Sequence, residues 1–168
     1  MDPKASVEIQ QGHMVGQPAR SQPPDIQIRD AKASDAPALA RLAGQLGYPA
    51  QPAEIIARLP KESDLRQERV IVVTNGAETV IAWTAVRTAV HIHNAPYAEI
   101  SGFVVDESMR GKGIGKRLMA EVEQWAIGNG LSAIRLNANV RRTESHRFYE
   151  SLGFSITKQQ YAFRKDLS

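Results

Sequence analysis

The 168-residue chain contains no cysteine. That excludes disulfides, thiolate metal sites and a cysteine nucleophile. No apolar run approaches about 18 residues, so no transmembrane helix is expected, nor is a leader of the secretory type visible. These absences fit a cytoplasmic protein without a membrane partner. Aromatic residues make up only 6%, and the net charge is a mild +3. A nucleic-acid module needs a dense basic stripe interleaved with aromatics. Here the bases gather at 110–117 and 135–147, a pattern that suits a small polyanion, and no nucleic-acid partner is expected. Of the four histidines only His91 and His93 are close, with neither cysteine nor carboxylate beside them. They read as exposed loop residues, and no metal site is expected.

What is present reads as one α/β domain. Residues 1–25, rich in Gln and Pro, read as a flexible tail, of which 1–13 resembles vector-derived sequence ending at Gly12-His13. The domain spans 26–168. A first strand is expected at Ile26–Arg29, and Ser34 as the cap of a helix carrying Leu39, Leu42, Ala43 and Leu46 on one face, ended by Gly47. A short helix over Pro52–Leu59 would turn Ile55, Ile56 and Leu59 inward. Val70–Thr74 and Thr79–Thr88 read as strands joined at Asn75-Gly76, and 89–97 as a loop or irregular end. Glu99–Val105 is a further strand, and 114–127 a helix with Ile114, Leu118, Val122 and Trp125 on one face. A strand at Ala133–Ala138, a helix capped by Thr143 and ended by Gly153, and strands near Phe154–Lys158 and Tyr161–Arg164 complete the order. Hairpins and crossovers together imply a mixed, mainly antiparallel central sheet flanked by helices.

The most informative stretch is Val104-Val105-Asp106 running into Arg110-Gly111-Lys112-Gly113-Ile114-Gly115-Lys116. Glycines between a strand and a helix let backbone N–H groups turn towards one point, and the helix adds its positive end. That is the chemistry of a phosphate or pyrophosphate site. A Walker A loop is excluded, because Arg110 stands at its first glycine position and Arg117 at its hydroxyl position. The dinucleotide fingerprint fails at Lys116, where the third glycine belongs. Glycines that serve only the turn are the plain alternative.

Arg110-x-x-Gly113-x-Gly115 after a Val-Val-Asp strand end resembles motif A of the GCN5-related N-acetyltransferases, the GNAT family. Phe148-Tyr149-Glu150-Ser151-Leu152-Gly153-Phe154 resembles that family's last block. Ile28-Arg29-Asp30-Ala31 with Leu46-Gly47-Tyr48-Pro49 is similar to the start of many small bacterial-type members. The resemblance covers about residues 26–167 and implies the family's acyl-CoA N-acyltransferase fold. It also implies acetyl-CoA as co-substrate and transfer of acetyl to a primary amine in a ternary complex. The acceptor would be a small-molecule or peptide amine, and a homodimer is common among relatives.

The resemblance further assigns roles. Phe103, Val104 and Val105 would pair their backbone with the pantetheine arm, the Val104 N–H facing the thioester oxygen; an ordinary core strand is compatible with this. Arg110, Gly111, Lys112, Gly113, Ile114, Gly115 and Lys116 would hold the pyrophosphate. Tyr149 would reprotonate the thiolate, for which a phenol is suitably basic. Glu99 would deprotonate the amine; the alternative is a solvated edge charge. Strand alternation puts Glu99, Ser101 and Phe103 on one face. Asn137 would bind the pantetheine amides, or only close a turn. Thr143 and Ser145 stand near positions where many members carry Asn and Ala, while Arg141, Arg142 and Arg147 could meet the coenzyme's phosphates or be solvated. A non-catalytic acyl-CoA sensor or adaptor is the competing reading.

Overall fold

The computed structural model describes residues 25–167. The expected tail, including its vector-like start, lies outside them apart from Asp25. The chain runs β1 (Ile26–Asp30), α1 (Ala36–Leu46), α2 (Pro52–Arg58), β2 (Glu68–Asn75), β3 (Val80–His91), β4 (Asn94–Val105), α3 (Ile114–Gly128), β5 (Ile134–Leu136) and α4 (Thr143–Ser151). The strands form one five-stranded sheet in sequence order. β1 to β4 are antiparallel, and β5 joins β4 in parallel through the α3 crossover. The expected mixed, mainly antiparallel sheet with flanking helices is therefore what the chain adopts. Among the described residues no helix is long and apolar enough to cross a membrane.

Each sheet face buries against helices whose apolar spacing dictates the contact. Leu39 and Leu42 of α1 lie against Val72, Val80 and Val104. Ile114, Leu118, Val122 and Trp125 of α3 lie against Ile71, Val73, Ile81, Val86 and Ile100 on the other face. Each fully buried aliphatic side chain contributes about 1.5–3 kcal/mol, so both helices are held by tertiary packing. Polar ties fix their ends. Asp35, only 7% exposed, receives the Arg29 guanidinium through two bonds of 2.7 and 3.0 Å. Arg69 bridges Asp30 of β1 at 2.7 Å and Glu121 of α3 at 3.2 Å.

Several local expectations are corrected. Ser34 does not cap α1: a 3-10 turn over Ala33–Asp35 precedes it, and the Asp35 carboxylate accepts the Lys32 N–H at 2.8 Å. Ile56 is 49% exposed, because α2 is too short to wrap a third apolar side chain onto the core. The turn expected at Asn75-Gly76 extends to Glu78, which takes the left-handed conformation with φ 57°. Asn75 Oδ1 closes that turn, accepting the N–H groups of Ala77 and Thr79. The 89–97 segment is not a loop. β3 and β4 continue to a tight turn at Ile92–His93, and His91 sits at 3.0 Å from the Tyr97 hydroxyl. Thr143 opens α4 without a side-chain cap. The strand at 133–138 shrinks to three residues, and residues 154–167 form no strand at all.

Candidate active site

The site begins where β4 parts from its neighbour. β5 pairs only with Ala98, Glu99 and Ile100, so beyond Ile100 one edge of β4 is open. On the other edge, Asp106 N–H donates to Ile81 at 2.8 Å and the register pairs Val104 with Trp83. Antiparallel pairs alternate between bonded and non-bonded, so Val104 shares the bonded phase of Asp106 and turns its N–H towards β3. The expected role of Val104 as amide donor to the cleft is thereby corrected. Phe103 and Val105 are the residues whose backbone groups face the opening.

A register shift between Ala85 and Val86 leaves Ser101 bulged out of the β4 ladder. A bulge shifts the alternation by one residue. Ala98, Ile100, Phe103 and Val105 accordingly pack towards α3, while Val104 packs towards α1. Glu99 therefore lies on the α1 side, opposite Phe103, and the expectation of a shared face fails. The Glu99 carboxylate pairs with Arg87 at 2.7 Å, its side chain 23% exposed.

The glycine segment is braced at its start. Asp106 binds Arg41 of α1 and accepts the N–H and hydroxyl of Ser108 at 3.0 and 2.8 Å. Arg41 first, with Ser108, holds the Asp106 carboxyl below its usual range against a smaller opposing effect of burial. A 3-10 turn over Glu107–Met109 consumes the Met109 and Arg110 amides on the Asp106 and Glu107 carbonyls. From Gly111 to Lys116, no backbone N–H has an acceptor among the described residues. Gly111 and Gly113 hold φ of 75° and 77°, conformations that strain any L side chain. A Cβ on Gly115 would stand 2.9 Å from the Phe148 ring. The α3 amides Ile114, Gly115 and Lys116 are the orphans of a helix start, where the dipole favours an anion.

These amides open on a cleft of about 920 Å³. Phe103, Val104, Val105, Arg110, Gly111, Gly113, Ile114, Gly115 and Lys116 line it, as does Tyr149 of α4. Lys112 does not; its ammonium rests 3.4 Å from the Met109 sulfur. Arg110 turns back to the Val105 carbonyl at 3.2 Å, bracing the segment. Asn137 lines a second, smaller cavity of about 340 Å³ with Leu46, Gly47, Tyr48, Ser101 and Gly102. Phe103, Arg142, Ser145 and Tyr149 line both spaces, so Tyr149 stands at their junction.

The Tyr149 ring is fixed by Phe148 at 5.3 Å and Phe154 at 5.7 Å between centroids, while its hydroxyl bonds no described residue. Burial pushes the phenol's pKa up and the Arg142 charge partly opposes this, so the proton stays on at neutral pH. Arg142 lines both spaces, whereas the sequence offered it only with Arg141 and Arg147 as a phosphate contact or a solvated charge, because one arginine among several near α4 carries no spacing signal.

Comparisons with known proteins bear on the family and the fold. A model of the acetyltransferase (GNAT) family matches residues 38–154. An uncharacterised N-acetyltransferase of Bacillus subtilis is 36% identical over 77 residues, 45% of this chain and 53% of that protein. An aminoalkylphosphonate N-acetyltransferase of Salmonella typhimurium is 33% identical over 89 residues, 52% and 56% of the two chains. The chain thus spans about half the length of the curated relatives it matches. The solved aminoglycoside 6'-N-acetyltransferase of Acinetobacter baumannii shares the fold at TM-score 0.72 and 19% identity, covering 85% of this chain and 99% of its own. With the family model extending over most of the domain, the chain belongs to the GNAT acetyltransferase family.

Proposed function

We propose that the chain is an N-acetyltransferase moving acetyl from acetyl-CoA to a primary amine by direct attack in a ternary complex. The observation that carries this is the run of unpartnered amides, Gly111 to Lys116, opening on a cleft that ends at an unbonded phenol. Consecutive free N–H groups at a helix start fit a pyrophosphate, and the glycines leave room that a Cβ would fill. The open edge of β4 suits an amide-bearing pantetheine arm, which would pair there as an added strand. The Phe103 N–H is then the donor best placed for the thioester oxygen as its negative charge develops.

The neutral amine attacks the thioester carbon, forming the C–N bond. Collapse breaks the C–S bond, Tyr149 gives its proton to the departing thiolate, and the proton that the newly acylated nitrogen sheds passes through solvent back to the Tyr149 phenolate. The amine must first lose its own proton, the role proposed for Glu99; that carboxylate lines neither cavity and is paired with Arg87, so it would act only through intervening water. The second cavity is where the acceptor would sit, with Tyr149 and Arg142 at the junction. Among the described residues Arg142 is the one formally charged side chain lining that cavity, which favours an acceptor carrying a carboxylate or phosphonate beside its amine. The acceptor named for the aminoalkylphosphonate relative is of that kind.

Thiol release from acetyl-CoA tests the reading, and a cysteine-free chain adds no background to the assay. Zwitterionic amines, aminophosphonates among them, should turn over faster than polycationic aminoglycosides. Tyr149→Phe should lower kcat by roughly 10²-fold, the scale of general acid catalysis, with acetyl-CoA affinity kept. Acetyl-CoA binding without turnover of any amine would instead mark the sensor or adaptor.

A further inference from the structure

We infer, on the acetyl-CoA reading of the cleft, that Arg41 and Gln45 of α1 are positioning residues for the donor, holding the start of the glycine segment so that its free amides face the pyrophosphate. The segment needs such support. Gly111 and Gly113 take φ of 75° and 77°, and glycine has the widest backbone freedom of any residue. From Gly111 to Lys116 the amides have no acceptor among the described residues, so the run is not stiffened by hydrogen bonds of its own N–H groups. Its aim is set at its two ends. The far end is α3, where Ile114 and Leu118 are buried in the core. The near end is Asp106 and Glu107, where the chain leaves β4.

That near end is gripped from α1. The Arg41 guanidinium binds the Asp106 carboxylate, and its other Nη lies 3.4 Å from the Val80 carbonyl of β3. A planar fork reaches both oxygens at once, which an ammonium does not. One turn further along α1, Gln45 Oε1 accepts the Glu107 N–H at 3.1 Å. Residues four apart share a helix face, so the two side chains clamp two consecutive residues of the exit from β4. α1 is itself seated on the sheet through Leu39 and Leu42, which gives the clamp a fixed base. On the clamped side Asp106 accepts the Ser108 N–H and hydroxyl, and the 3-10 turn that delivers Gly111 follows directly. Neither Arg41, Gln45 nor Asp106 lines the cleft, so their action on the donor passes through the loop. The Arg41 side chain is 47% exposed, and exposed ion pairs add little to global stability. Its effect is therefore local, a preorganisation of the amides before the donor arrives.

S-Acetylpantetheine carries the thioester arm of acetyl-CoA without its diphosphate, so it separates the two contributions. In Arg41→Ala, calorimetry should find the Kd for CoA raised about tenfold, the factor carried by one hydrogen bond to a charged group. The KM for acetyl-CoA should rise with it, while kcat at saturation and kcat/KM for S-acetylpantetheine hold. Arg41→Lys should recover part of the affinity, and Gln45→Leu should weaken CoA in the same sense. Combining Arg41→Ala with Asp106→Asn should cost less than the two single losses together. The amides of Glu107, Ser108, Met109 and Arg110 are all bonded, and in the ligand-free Arg41→Ala protein they should exchange faster while those of β4 do not. A parent chain that binds no CoA removes the acetyl-transfer reading and the clamp with it. Where the parent binds CoA, an unchanged Kd in Arg41→Ala overturns the clamp alone. An equal loss with S-acetylpantetheine also overturns it, by marking a role in the fold at large.

Discussion

Replacing Gly115 with alanine sets two effects of known size against each other. In an exposed helix, alanine is favoured over glycine by about 1 kcal/mol. At this position the new Cβ would lie 2.9 and 3.1 Å from two Phe148 ring carbons and 3.6 Å from Val105 Cγ2. Carbon atoms sit comfortably at about 3.5–4.0 Å, so the ring must retreat by several tenths of an ångström. It is packed against two other rings, with the Phe103 centroid 5.8 Å and the Tyr149 centroid 5.3 Å away. Overpacking of this kind costs about 1–3 kcal/mol, so Gly115→Ala should be destabilised by about 1 kcal/mol net. In a chain of this length that lowers Tm by about 2–4 °C. Because the displaced ring abuts Tyr149, kcat/KM for acetyl-CoA should fall severalfold in the thiol-release assay. In a Phe148→Leu background the clash disappears and the propensity gain remains, so the same alanine should become neutral or stabilising. A double-mutant cycle then reads a coupling of about 1 kcal/mol or more. Additive effects, or a raised Tm in the Gly115→Ala single variant, would refute the reasoning.

Three further outcomes follow from the same contacts. Asp35→Asn should cost about 2 kcal/mol at neutral pH, by the worth of hydrogen bonds to a charged group. Arg29 first, despite burial, and then the Lys32 amide hold the Asp35 carboxyl below its ordinary pKa. That stability is present above the unfolded value near ~4 and is lost as pH falls, so urea midpoints of parent and variant should converge on acidification. The Tyr149 phenol, pushed up by burial, stabilises the fold below pH ~10 and ceases to do so as pH rises through its folded value. An alkaline difference titration against Tyr149→Phe should find its phenol ionising above the ordinary value near ~10, and Arg142→Ala should raise it further; ionisation at the ordinary value would contradict the burial argument. Gly102→Ala would bring a Cβ to 2.6 and 2.7 Å from the Trp83 ring, so it should lose about 1–3 kcal/mol and alter tryptophan fluorescence. Trp83→Leu should suppress that loss, and an unperturbed Gly102→Ala protein would show that the ring has space to move.

Local patterning alone was enough for much of this protein. The apolar spacing of α1 and α3, the β-branched run of β2 and the glycines before α3 are properties of neighbours in sequence, and the chain adopts them where their periodicity indicates. The Phe148-Tyr149 block likewise announced itself, and Tyr149 does reach the cleft. What depends on partners distant along the chain was not legible. The bulge at Ser101 shows only once β3 and β4 pair, and it moves Glu99 to the face opposite Phe103. The same pairing decides that the amides of Phe103 and Val105, not Val104, face the opening. Period-two reasoning is blind to a single inserted residue, because one residue reverses everything before it relative to everything after it. Arg142 gained its place at the junction of two cavities from the way α4 packs. The last fourteen residues carry a strand's composition, but composition cannot say which edge a strand will find. Hydrogen-bonding edges and cavity walls are made by elements far apart in sequence, so tertiary structure alone could decide them.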